Sequence, residues 1–208
     1  MKIISQWEVQ LPAWIRAFYP GTFWREKGKD KTVYLTFDDG PVPEITEWVC
    51  SELKKRRIKA TFFCVGENVT KYPEIFDLLE REGHSVGSHT FNHLQAWKCS
   101  GREYFENVDK GAAVTGSDLF RPPHGQLYPW QVSGLKKRFR KVVMWDVLSK
   151  DYDTTLTPDE VFENVRKNVR SGSVIVFHDS VKARPRLEKA LPRTLDFLLN
   201  EGYRFETL

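Results

Sequence analysis

Two adjacent acids, Asp38 and Asp39, stand in the run Thr36-Phe37-Asp38-Asp39-Gly40-Pro41, directly after a stretch with strand character. Neighbouring carboxylates at a strand end repel each other unless a cation or basic partner compensates them. The ordinary structural reading is an Asp-Gly turn with solvated acids. A second run, His89-Thr90-Phe91-Asn92-His93, spaces two imidazoles four residues apart. In a helix that spacing puts both on one face, within reach of one metal ion. With a carboxylate from another strand end they make a three-ligand site with open positions, the arrangement of a catalytic metal rather than a structural one. A third run, Arg121-Pro122-Pro123-His124-Gly125, combines a cation with a rigid backbone and a glycine that permits close approach. It also reads simply as a stiff turn. His178 follows the apolar run Val174 to Phe177 and adds a titratable group.

Short β-branched or aromatic runs alternate along the chain with longer segments of helical spacing, the signature of βα units around a parallel sheet. The pattern predicts strands over residues 32–37, 60–65, 84–88, 119–121, 141–147, 174–177 and 203–206. Helices are expected over 44–57, 73–82, 102–115, 129–138, 158–170 and 185–200. Seven parallel strands form an open doubly wound sheet or a barrel. Neither a dinucleotide-binding nor a phosphate-loop glycine pattern follows the first strand, which disfavours nucleotide binding. In a barrel the chemistry collects at the C-terminal strand ends. Four of the five histidines, His89, His93, His124 and His178, fall there, whereas His84 opens a strand and reads as packing or surface.

The 208 residues fit one domain, and 40% hydrophobic content supplies a core. A break at Gly28-Lys29-Asp30-Lys31 divides the chain into an aromatic-rich N-terminal strap, residues 1–30, and a domain over 31–208. The strap's Trp7, Trp14, Phe18, Tyr19, Phe23 and Trp24 suit packing across the domain or, alternatively, an interfacial membrane contact. A net charge of +4 is mild. The basic runs Lys54-Lys55-Arg56-Arg57 and Lys136-Lys137-Arg138 each close a helical pattern, where cations favour the helix dipole, so no nucleic-acid partner is expected. Cys50, Cys64 and Cys99 fit neither a disulfide framework nor a CxxC site and read as free thiols. No apolar stretch is long enough for a transmembrane segment, and the first residues lack a secretory pattern, giving a cytoplasmic expectation.

Taken together, Thr36-Phe37-Asp38-Asp39-Gly40, His89 to His93, Arg121 to Gly125, Asp151-Tyr152 and Val176-Phe177-His178 resemble, in order, the motifs of NodB-type polysaccharide deacetylases, carbohydrate esterase family four. The resemblance implies an α/β fold, a distorted (β/α)7 barrel, acting on an N-acetylated carbohydrate. It implies that Asp39, His89 and His93 bind a divalent metal, most often zinc and sometimes cobalt or nickel. In the same way it makes Asp38 the general base held by Arg121, gives the His124 backbone N–H to the oxyanion, and makes His178 the general acid with Asp151 as partner. Pro123, Tyr152 and Trp145 fall to the substrate groove. The chain departs from the pattern where Tyr152 replaces a tryptophan, where Leu148 stands in place of an acid, and where His124 replaces a tyrosine. Two other readings keep part of this chemistry: a metal-dependent amidase for a non-sugar amide, and a silent carbohydrate-binding module using Trp97, Trp130 and Trp145 as platforms.

Overall fold

A computed structural model describes residues 6–28 and 30–208. Residues 1–5 of the expected strap and Lys29 of the expected boundary lie outside the described residues. The elements in chain order are α1 (Gln6–Val9), α2 (Ala13–Arg16), β1 (Thr32–Asp38), α3 (Ile45–Lys55), β2 (Thr61–Cys64), α4 (Gly66–Lys71) and α5 (Pro73–Arg81). They continue with β3 (Ser85–Ser88), α6 (Gly101–Thr115), β4 (Leu119–Phe120), α7 (Pro129–Lys136), β5 (Lys141–Val142) and β6 (Val147–Leu148). The chain closes with α8 (Pro158–Asn168), β7 (Val174–His178), α9 (Arg184–Asn200) and β8 (Arg204–Phe205).

All the strand pairs are parallel, in the order β5-β4-β3-β2-β1-β7-β6, with β8 beside β1. Every residue of β1 is buried, as expected of a central strand covered on both faces. Were the seven-strand path flat, its edges β5 and β6 would stand about 29 Å apart. Yet residues 143–146 alone connect them, a link that reaches no further than about 18 Å. The sheet must therefore curl, and the result is a distorted α/β barrel with an unpaired seam. The single strand expected over 141–147 is corrected here: it is two short strands on opposite edges. Phe23 bridges Val143 at this seam, and Arg25 bridges Ser173.

Local signals fix the helices. Ser100 and Glu103 form a capping box on α6, Thr157 and Glu160 another on α8, and Gly116 ends α6 in the left-handed region. Leu35, Phe37, Phe62 and Phe177 of the sheet pack with Leu53, Leu79, Val165, Leu191 and Leu195 of the helices in the main core. Val9 of α1 joins that cluster, so the N-terminal segment is built into the domain.

Candidate active site

Strand register alone assembles the site. Asp38 pairs with Phe63 on one side and His178 on the other, while Cys64 pairs with Ser88 and Ser88 with Phe120. The residues just past these ends, Asp39, His89 and Arg121, therefore emerge on one rim.

Two consecutive residues of an extended strand point to opposite faces. Asp39 escapes that alternation by adopting φ 83°, and both Asp38 and Asp39 line the same cavity of about 650 Å³. A non-glycine residue in the left-handed region costs on the order of 1–3 kcal/mol and persists where surrounding contacts impose it. Here Asn68 Nδ2 donates to the Asp39 carbonyl at 2.8 Å, and the Val65 N–H donates to the Gly40 carbonyl at 2.9 Å.

The histidine pair is placed differently from the helical expectation. Residues 89–93 form a loop, with Thr90 at φ 65° and His93 at φ 59°, and these two left-handed residues bend the chain so that both imidazoles face Asp39. His93 Nε2 lies 3.2 Å and His89 Nε2 3.8 Å from Asp39 Oδ1, and one ligand atom from each residue falls within 4.8 Å of the others. A tetrahedral ion with bonds of about 2.1 Å sets its ligands roughly 3.4 Å apart, so the donor set fits a divalent metal. The opposite nitrogen of His89, Nδ1, hydrogen-bonds the Arg121 carbonyl at 2.8 Å, which turns Nε2 toward the site as metal-binding histidines require. Burial pushes the His89 imidazole down to about 4, keeping it neutral. Burial raises Asp39, but the His93 hydrogen bond and the fields of His178 and His89 outweigh it and hold the carboxyl well below the usual range.

Asp38 and His178 stand on either side of this trio. Arg121 Nη1 donates to Asp38 Oδ1 at 2.6 Å and to Thr36 Oγ1 at 2.8 Å, while Nη2 donates to the Met144 carbonyl at 3.1 Å. Arg121 is 1% exposed and lies over the Phe63 ring. His178 is gripped by fully buried Asp151, and burial, which lowers its pKa, is outweighed by that carboxylate and by Asp39 and Asp38. The imidazole is raised to about 9.

His124, Trp145 and Tyr152 also line the cavity, the Tyr152 ring edge-on to His178 at 4.9 Å. His124 takes φ 56° in a tight turn, and Gln95 Nε2 sits 2.9 Å from its Nε2. Pro123 is not brought to the cavity: it is buried, and its neighbour Pro122 forms the wall. Trp97 and Trp130 are exposed outside the cavity.

Sequence reasoning gave Trp7 to the N-terminal strap and assigned no part to Leu11 and Lys182; all three line the cavity. Nothing local marks Trp7, because its position follows from the path of the N-terminal segment. It also gave no role to Asp179, whose carboxyl group accepts from the Gly40 N–H at 3.2 Å and from Thr46 Oγ1 at 2.5 Å. The adjacency of Asp179 to His178 was the available signal.

These features have counterparts in known proteins. The polysaccharide deacetylase family model matches residues 25–137. A peptidoglycan-N-acetylglucosamine deacetylase of Bacillus cereus is 32% identical, across 89% of this chain and 90% of its own length. A chitooligosaccharide deacetylase of Azorhizobium caulinodans is 30% identical over 71% of this chain and 73% of its own. The crystal structure of a peptidoglycan N-acetylglucosamine deacetylase superposes with a TM-score of 0.85 at 30% identity, covering 94% of both chains. With these likenesses spanning the barrel and every motif on its rim, the chain belongs to the polysaccharide deacetylase family, carbohydrate esterase family four.

Proposed function

We propose that this chain removes N-acetyl groups from an N-acetylated amino sugar of the N-acetylglucosamine type, carried on an oligosaccharide or polysaccharide. The observation that carries the reading is the grouping in one cavity of a three-donor metal set, a carboxylate locked by a buried arginine, and an imidazole locked by a buried carboxylate. The relatives' names support the substrate class.

Asp39, His89 and His93 would hold a divalent cation, zinc by preference for two imidazoles and one carboxylate with positions left open. Bound there, it supplies Lewis acidity toward an amide carbonyl and makes water a stronger acid. Asp38 has one oxygen, Oδ1, committed to Arg121, which aims Oδ2 to accept the proton of the attacking water. His178 holds its Nδ1 proton on Asp151, so Nε2 carries the proton delivered to the departing sugar amine. The backbone N–H of His124 serves the oxyanion, an electrostatic contribution made without reorganisation. Tyr152, edge-on to His178, and Trp145 form the walls that exclude water and seat the sugar.

Acetate release from N-acetylglucosamine oligomers tests the reading. Protein stripped with dipicolinate should be inactive and recover with zinc or cobalt; no acetate release with the metal restored would overturn the reading, and full activity in the stripped protein would remove the metal from it.

A further inference from the structure

The N-terminal segment reaches the active site. Trp7 and Leu11 line the same cavity as Asp38, Asp39 and His178, although they precede the first strand of the sheet by more than twenty residues. The backbone carrying Trp7 is pinned. Val9 is 2% exposed in the main core, and Arg16 donates through Nε to the Leu11 carbonyl at 2.8 Å and through Nη1 to buried Asp146 at 2.8 Å. Yet the Trp7 side chain is 59% exposed, braced edge-on by Trp14 at 6.3 Å and 79°. Among the described residues, a fixed backbone thus leaves more than half of a large indole uncovered at the wall of the cavity.

We propose that Trp7 is a stacking platform for the sugar ring next to the one being deacetylated. The inference rests on the deacetylase reading above and adds the residue that holds the neighbouring ring. An aromatic face carries partial negative charge and attracts the polarised C–H bonds that line one side of a pyranose ring. A cavity of about 650 Å³ has room beyond the reacting sugar, and Trp7 lies on its wall together with the catalytic groups. A lipid surface is the competing occupant for exposed tryptophans. Among the described residues around Trp7, Arg16 is committed to Asp146, and Trp7 lines the cavity, which favours the sugar.

The test uses the full chain, its Trp7→Ala and Trp7→Tyr variants, and N-acetylglucosamine oligomers from dimer to hexamer. Trp7→Ala should raise KM for the hexamer roughly three- to tenfold, the size of one aromatic contact, and flatten the dependence of kcat/KM on chain length. Trp7→Tyr should restore most of it, and an unchanged melting temperature shows that the fold is intact. A KM shift equal at every chain length, or none, overturns the platform while leaving the deacetylase reading in place. Wild-type protein that releases no acetate sinks the deacetylase reading instead; intrinsic fluorescence quenching by the hexamer then still reports on the cavity's Trp7 and Trp145, and must shrink in Trp7→Phe. Binding of mixed phosphatidylcholine and phosphatidylglycerol vesicles that Trp7→Ala abolishes, with chain-length dependence intact, assigns the segment to lipid and also overturns the platform.

Discussion

Asp151 grips His178 twice: its Oδ1 accepts from the ring Nδ1–H at 2.7 Å, and its Oδ2 accepts from the His178 backbone N–H at 2.8 Å. One carboxylate thus sets both the ring's orientation and its charge. His178 is raised to about 9, above its ordinary 6.5, so its stabilising contribution is complete below about 6.5 and is lost as pH rises through about 9. The alkaline limb of kcat/KM should fall near that upper value. Asp151→Asn keeps the shape but removes the charge, and should move the limb toward 6.5 and lower kcat on the order of 100- to 10,000-fold. An unmoved limb would show that His178 is not the group being titrated.

Arg121 is buried with Asp38, and removing one member of a buried pair leaves the other uncompensated. Arg121→Met should destabilise the fold by about 3–5 kcal/mol in urea denaturation. Arg121→Lys keeps the charge but cannot span Asp38, Thr36 and the Met144 carbonyl together, and should lose activity with a smaller loss of stability.

His93 reaches Asp39 from a loop, half-buried, whereas His89 is 2% exposed and tied to the Arg121 carbonyl. His93→Ala should therefore abolish zinc retention, measured by elemental analysis, without unfolding the protein. In the wild type, zinc at 100 times its dissociation constant should add about 2.7 kcal/mol of stability, and His93→Ala should lose that increment.

Asp179 is buried beside the Asp38-Asp39-Gly40 turn, and burial, with the Asp39 charge, pushes it up to about 8. The folded chain keeps a proton there that the unfolded chain releases above about 4, so stability falls as pH climbs from about 4 through about 8. Asp179→Asn should flatten that slope in a melting-temperature series and retain activity. Asp179→Ala leaves Gly40 N–H and Thr46 Oγ1 without their acceptor and should cost about 1–3 kcal/mol.

The residues at strand ends were legible because strand runs are short, β-branched and punctuated, and parallel sheets align their C-terminal ends. The loop geometry was not. The spacing of His89 and His93 reads as one helical face, while the actual juxtaposition comes from left-handed backbone at Thr90 and His93 that no periodicity encodes. The run Lys-Val-Val-Met-Trp-Asp-Val reads as one strand because five of its seven residues are apolar, and apolarity does not say where the chain leaves one edge for another. Helix α4 escaped notice because Gly66, Asn68 and Thr70 are weak helix formers. It is held by packing, with Gly66 set against Phe91 and Gly111 so closely that a side chain would collide. Pro122 and Pro123 differ in facing, which a dipeptide cannot declare.

Asp146 is 0% exposed and accepts from Arg16, Arg170 and Ser173 at once. It sits on the four-residue link between the sheet's two edges, so the tail bearing Trp7 and the barrel's unzipped flank share one fastening. Cutting the chain by limited proteolysis just downstream of Arg16 frees that cation to leave Asp146, and therefore acts as a lever on the mouth of the catalytic cleft rather than trimming a passive appendage.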